Sequence, residues 1–179
     1  MRQMSAARGY GFWHKSFHWL VFALIAAQYF VGSVMPHIGR DTQDEGWVSW
    51  HISLGAAIMF LVLIRLVWRI ARPVPLMEMP SWQTHLANFT HIGLYTLILV
   101  MTVLGWAATS YRGWTVWLFG IVPLPALAAK GTEWAHTAGD IHGTLVYVLL
   151  ALIVMHVGGA LYHYFVLRDR TLQRMLPGV

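Results

Sequence analysis

The chain has 179 residues, of which 58% are hydrophobic and only 11% carry a charge. Soluble domains carry charge on about a quarter of their residues, so the composition excludes an ordinary soluble domain and indicates a membrane protein. No cysteine is present, which excludes disulfides and thiolate metal sites.

Four stretches lack Asp, Glu, Lys and Arg, and each can cross about 30 Å of hydrocarbon as a helix: 16–39, 46–64, 81–111 and 141–167. They predict an all-α membrane protein, a four-transmembrane-helix bundle that forms a single domain over 1–179. We expect helices at about 16–35, 48–71, 84–110 and 140–166. The outer segment 111–139 is expected to lie along the membrane surface.

The start of the chain resembles a signal peptide because Arg2, Arg8 and Lys15 precede an apolar run. That run is longer than usual and has no clear cleavage site before Pro36, so we expect a retained helix.

The distribution of basic residues predicts that the N- and C-termini are cytoplasmic. Nine basic residues fall on the same side of the membrane as the N-terminus: Arg2, Arg8, Lys15, Arg65, Arg69, Arg72, Arg168, Arg170 and Arg174. Three fall on the other side: Arg40, Arg112 and Lys130. This is the positive-inside bias of membrane proteins. Topology therefore accounts for the net charge of +5, and no nucleic-acid partner is predicted.

Histidines inside the apolar stretches are the main candidates for a functional site. His142 and His156 are fourteen residues apart, which places them on one helix face about 21 Å from each other. An intramembrane histidine is a functional candidate by default. His51 lies at the outer level of His142, and His18 lies in the inner half with His156. The two histidines of each pair can bind a haem from its opposite faces. Because the chain has no cysteine for covalent attachment, such a haem must be b-type. The alternative is that all four are ordinary interfacial histidines.

Spacing alone leaves the inner ligand open. His163 matches the depth of His18 better than His156 does, and His14 competes with His18. Four glycines near the candidate ligands would let a flat macrocycle approach, or would serve ordinary helix packing: Gly55, Gly143, Gly158 and Gly159. Gly32 and Gly105 are expected to have no functional role.

Several motifs resemble the bacterial cytochrome b561 family: Phe17-His18-Trp19-Leu20-Val21, Trp50-His51-Ile52-Ser53-Leu54-Gly55, Ile141-His142-Gly143-Thr144-Leu145, and the segment 156–177. The resemblance covers nearly the whole chain in order. It implies a four-helix protein of the bacterial inner (cytoplasmic) membrane with two haem b groups. It pairs His18 with His156 and His51 with His142 as haem iron ligands, and so favours His156 over His163.

The resemblance also implies a quinone site near the inner haem, and superoxide oxidation at the outer haem in some members. Ser16, Arg72 and His163 lie at the level of a quinone headgroup, although ordinary interfacial polar residues are equally expected there. Arg112 and Lys130 are the candidates for steering an anion. Outer segments hold three basic and five acidic residues, so their net charge opposes a superoxide donor.

The predicted function is electron transfer from a small periplasmic donor, superoxide first, to membrane ubiquinone, which would make the protein a superoxide oxidase. The main alternative is a cytochrome b subunit that passes electrons from a hydrogenase or dehydrogenase partner to quinone. A structural or sensory membrane protein without a cofactor is a third class. A homodimer and a redox partner subunit both stay open.

Overall fold

The structure is a computed structural model that describes residues 10–74 and 79–177. Four long helices follow the chain: α1 (Phe12–Val34), α2 (Trp47–Ala71), α3 (Ser81–Arg112) and α4 (Glu133–Tyr162). Each is long and apolar enough to cross a membrane, which confirms the predicted all-α four-helix membrane fold. The predictions that rest on Arg2 and Arg8 lie outside the described residues.

Short elements complete the chain. Strands β1 (Trp117–Leu118) and β2 (Val122–Pro123) pair antiparallel between α3 and α4. After α4 the chain forms a π-helical turn at His163–Leu167 and a 3-10 turn at Gln173–Met175.

All four helices begin earlier than the sequence predicted, α2 by a single residue. Helix α4 begins at Glu133 rather than near 140, α3 covers Ser81–Arg112 rather than 84–110, and α1 begins at Phe12 rather than 16. The predicted starts of α1 and α4 were set at or next to charged residues, but a helix continues beyond hydrocarbon, and in α4 the acidic Glu133 in the first turn is favourable to the helix dipole. Segment 111–139 therefore contains the hairpin and the first turns of α4.

Neighbouring helices pack in chain order, α1 on α2, α2 on α3 and α3 on α4. Val21, Ile58, Val62 and Ile98 form a buried cluster at mid-depth, with Leu149 packed against it. Among the described residues, the backbone of α4 stays largely more than 8 Å from those of α1 and α2. A seam therefore separates α4 from these two helices.

Helices α3 and α4 approach closely because small residues line their contact. Ala107 on α3 and Ala135 and Ala138 on α4 form a second buried cluster. A Cβ at Gly139 would lie 3.1 Å from Ala108 Cβ. Helix α4 is therefore held mainly by α3.

Both ends of the described chain lie on one side of the bundle. The backbone N–H of Tyr10 donates to the Arg174 carbonyl (3.3 Å), and Trp19 Nε1–H donates to the Met175 carbonyl (2.8 Å). That this side is cytoplasmic stays a prediction from the basic residues.

Candidate functional site

His51 on α2 and His142 on α4 face each other across the outer part of the seam. Their ring centroids are 6.1 Å apart, with an angle of 86° between the ring planes. Two imidazoles on opposite sides of one metal ion, with metal–nitrogen bonds of about 2 Å and ring centres about 1 Å further, have centroids roughly 6 Å apart. The separation of this outer pair therefore fits coordination of a single metal ion.

The tautomer of His142 is set by the backbone of α3. His142 Nδ1 lies 2.8 Å from the Met101 carbonyl oxygen, and a carbonyl only accepts, so Nδ1–H is the donor. The lone pair is then on Nε2, which is the form of histidine that binds a metal.

Two glycines lie directly behind the rings of the outer pair. A Cβ at Gly105 on α3 would lie 3.1 Å from ring atoms of His142, and a Cβ at Gly32 on α1 would lie 3.3 Å from the ring of His51. Contacts between carbon atoms are optimal at about 3.5–4.0 Å, so neither position has room for a side chain. Gly32 and Gly105, for which no functional role was expected, therefore provide the space for both rings.

A cavity of about 860 Å³ borders the outer pair. Its lining includes His51, His142, Gly55 and Gly143. Cofactor sites typically have volumes of about 300–1,000 Å³, so the cavity is large enough for a macrocycle.

His18 on α1 and His156 on α4 form an inner pair with the same separation. Their ring centroids are 6.1 Å apart, and the ring planes are 65° apart. His91 on α3 also contacts this pair, with its ring centroid 5.2 Å from that of His156. His91 was not among the predicted site residues, although a histidine within the charge-free third stretch is itself a signal of function.

Arg65 on α2 binds the inner pair as well. Its Nη2 lies 2.9 Å from His18 Nδ1, and its guanidinium lies 5.4 Å from the centre of the Tyr95 ring. Arginine only donates, so His18 Nδ1 accepts and the ring proton is on Nε2. For Nε2 of His18 to bind a metal ion, Arg65 must therefore release the ring so that the proton can move to Nδ1. His142 needs no such change, because its proton is already on Nδ1. The contact of Arg65 with His18 has no signal in the sequence, in which Arg65 is one of the basic residues of the inner side.

The two alternative inner histidines have other partners. His14 Nε2 lies 2.9 Å from the Arg72 carbonyl, and Trp68 Nε1–H donates to His14 Nδ1. His163 Nδ1 lies 2.5 Å from a carboxylate oxygen of Asp169. The structure thus pairs His18 with His156, while His14 and His163, the alternatives to these two residues, have the other partners just described.

The predicted quinone contacts do not form a connected group. No hydrogen bond or ion pair joins Ser16, Arg72 and His163 within the part of the chain that the structure describes. Arg72 is exposed, with its guanidinium 6.0 Å from the centre of the Trp68 ring.

The two predicted steering residues differ in their position. Arg112 borders the outer cavity, and its Nη1 donates to the Gly39 carbonyl at 2.9 Å. Lys130 is exposed, and its side chain lies against the backbone of Gly113. Of these two residues, Arg112 alone lines the cavity that borders the outer pair.

Comparison with known proteins agrees with this geometry. The family model described as prokaryotic cytochrome b561 matches residues 9–178. The chain belongs to the prokaryotic cytochrome b561 family.

Relatives in this family match over most of both chains. Cytochrome b561 homolog 2 of Escherichia coli (strain K12) is 32% identical over 174 residues, which are 93% of this chain and 90% of the relative. Cytochrome b561 homolog 1 of the same organism is 28% identical over 89% of this chain and 92% of its own length. The protein named "Probable superoxide oxidase CybB" from Yersinia pestis is 28% identical over 89% of this chain and 91% of its own length.

Membership makes this chain a multi-pass bacterial membrane protein with an electron-transfer role, and it implies haem b. The outer histidine pair fits that group on three observations: the 6.1 Å ring separation, the Nδ1 hydrogen bond of His142, and the adjacent cavity. The inner pair has the same separation, with Arg65 and His91 as additional neighbours.

Proposed function

We propose that this family member is a single domain over 1–179 that carries two haem b groups and transfers electrons from a small periplasmic donor to ubiquinone. The observation that carries the proposal is the presence of two histidine pairs with equal ring separation at two depths of one seam. Helix α4 contributes one histidine to each pair, and these are about 21 Å apart along its axis.

His51 and His142 would hold the outer haem, and His18 and His156 the inner one. When bound, haems with histidine on both faces supply one-electron redox centres and favour electron transfer over oxygen binding. The buried cluster around Val62 lies between the two pairs. Its side chains exclude water from the space between the two sites, since they offer no hydrogen-bonding group.

Ubiquinone is the proposed electron acceptor at the inner side, with Ser16, Arg72 and His163 as its contacts. His163 supports this assignment best because its ring is held in place by Asp169 at the end of α4. Arg72 is exposed near the same side of the bundle and can reach a quinone oxygen from the interface.

Superoxide is the proposed donor at the outer side, and the protein is then a superoxide oxidase. The relative named "Probable superoxide oxidase CybB" supports this choice, as does the position of Arg112 at the outer cavity. A cation at a cavity mouth raises the local concentration of an anion even where the surrounding net charge is negative. Lys130 contributes from outside the cavity.

A second candidate is a cytochrome b subunit that receives electrons from a hydrogenase or dehydrogenase partner. The tip of the outer hairpin favours it, because Phe119 and Ile121 are 66% and 76% exposed and offer an apolar docking surface. In that case electrons would enter through a protein contact at the hairpin.

Haem quantitation on purified protein tests the two-site proposal. We expect two haems per chain in the pyridine haemochrome assay. His142→Ala should remove the outer haem and keep the inner one, and His156→Ala should do the reverse. His163→Ala is the matched control and should keep both. Loss of a haem from the control alone would make His163 the ligand.

Stopped-flow spectroscopy tests the direction of transfer. We expect superoxide to reduce the haem iron and added ubiquinone to reoxidise it, and both changes are followed in the haem absorption bands. If superoxide leaves the haems oxidised while a co-purifying dehydrogenase reduces them, the partner-subunit function is correct.

A further inference from the structure

His163 and Asp169 form a hydrogen-bonded pair at the end of α4. His163 Nδ1 lies 2.5 Å from Asp169 Oδ2, and the side chains are 13% and 26% exposed. The other carboxylate oxygen of Asp169 accepts the backbone N–H of Thr171 at 2.8 Å. Both oxygens of Asp169 are thus engaged, which fixes the carboxylate in one orientation.

An unusual chain path brings these two residues together. Six residues along a regular α-helix would place Asp169 about 240° around the axis from His163. Instead, His163 opens the π-helical turn, and Arg168 adopts a left-handed conformation with φ of +54°. The backbone N–H of Asp169 then donates to the His163 carbonyl at 3.1 Å. Single π-helical turns are frequently found at functional sites.

The carboxylate determines which ring nitrogen of His163 carries the proton. Burial raises the pKa of Asp169, but hydrogen bonds from His163 and Thr171 lower it more, so its net pKa lies below the usual range. An ionised carboxylate only accepts, so Nδ1–H of His163 is the donor. Nε2 makes no hydrogen bond to any residue in 10–74 or 79–177 and is available to a ligand.

We infer that Asp169 is a positioning residue that keeps Nε2 of His163 directed to a quinone oxygen and allows His163 to transfer a proton there. This inference rests on the proposed quinone contact of His163. It adds the proton-transfer role and the residue that enables it.

The proton balance follows from the reduction of a quinone. One ubiquinone takes up two electrons, one from each of two superoxide molecules that become dioxygen, and two protons. Protonated His163 supplies one of these protons: its Nε2–H bond breaks as the quinone O–H bond forms, and the ring becomes neutral. The inner aqueous phase reprotonates His163 and supplies the second proton. Throughout the transfer the Asp169 carboxylate keeps the ring in one orientation through its contact with Nδ1.

Asp169→Asn is the decisive change because an amide can donate to Nδ1 and thereby move the ring proton to Nε2. We expect kcat for superoxide-driven reduction of a short-chain ubiquinone to fall about 10- to 100-fold per haem, with little change in KM. Asp169→Glu keeps a carboxylate and should recover most of the activity. Arg168→Asn is the matched control, since it removes a neighbouring charge and asparagine tolerates the left-handed conformation.

A double variant separates positioning from general stabilisation. In a His163→Gln background, Asp169→Asn should cause no further loss of kcat, because residues that act as a unit are non-additive. A further loss in that background, or a wild-type kcat for Asp169→Asn alone, would overturn the inference while the quinone assignment stands. If His163→Gln itself changes neither kcat nor KM, the quinone contact proposed for His163 is wrong, and the inference fails with it. Haem content measured on every variant corrects kcat for any loss of folded protein.

Discussion

Gly105 provides the sharpest test of how the outer pair is built. In Gly105→Ala, the new Cβ would lie 3.1 Å from both Cε1 and Nδ1 of His142, about half an ångström inside the optimal contact distance. The ring must then move, and its 2.8 Å hydrogen bond to the Met101 carbonyl lengthens. Overpacking of this kind costs about 1–3 kcal/mol.

That energy translates into a loss of outer haem. Since about 1.4 kcal/mol is a factor of ten in affinity, outer-haem binding should weaken roughly 5- to 140-fold. The helix itself should not suffer, because alanine is about 1 kcal/mol better than glycine in a helix interior. We therefore expect haem loss from a protein whose helical circular dichroism is unchanged.

The matched control for Gly105→Ala is Gly158→Ala. Gly158 also lies in a membrane helix, but its added Cβ would meet nothing within 4 Å. It is two residues after His156, which places it about 200° around α4 from that ring. Reduced-minus-oxidised spectra and haem quantitation should show loss of the outer haem in Gly105→Ala only. Full haem content and an unchanged outer potential in Gly105→Ala would refute the role assigned to Gly105.

Three further predictions concern the inner pair, the outer charges and Asp169. His91→Leu should keep the inner haem and His156→Leu should lose it; the opposite result in haem quantitation would make His91 the ligand. Arg112→Glu should slow haem reduction by superoxide about tenfold or more at low salt, and Lys130→Glu should slow it less. If both variants are reduced at the wild-type rate at all ionic strengths, these residues do not steer superoxide. Because the pKa of Asp169 is lowered in the fold, its charge stabilises the protein above pH about 4 and loses that effect as pH falls through the folded pKa. The melting temperature of Asp169→Asn should therefore lie below wild type from pH 6 to 8 and approach it in acid; a constant difference would contradict this.

The spans and the depths of the histidines were predictable because both depend on local sequence. A charge-free stretch of sufficient length must be a helix in a bilayer, and a histidine within it needs a partner. The positions of His142 and His156 along one helix also predict that they lie at two different depths in the membrane. The resemblance to the family then paired each of them with a histidine on another helix, and in the structure the rings of the same pairs are neighbours.

The supports of those histidines were not predictable because each comes from a different helix. Gly105 is separated from His142 by 37 residues, and nothing near it in the sequence indicates that a ring lies against it. The same holds for Arg65, whose direction depends on how α2 is rotated against α1. The contact between His163 and Asp169 depends on the backbone of Arg168, a conformation that an arginine rarely adopts.

The seam beside α4 has a consequence for how the protein is assembled in the membrane. Helices α1 and α2 pack as one hairpin and α3 and α4 as another, while α4 has few direct backbone approaches to the first hairpin. Leu149 of α4 packs against the mid-depth cluster that includes Val21, Ile58 and Val62, and the two histidine pairs would add stronger links to α1 and α2 once each held a metal ion. We therefore expect the two hairpins to insert independently and haem supply to act as the final maturation step, so that chains made under haem starvation are readily degraded by membrane proteases.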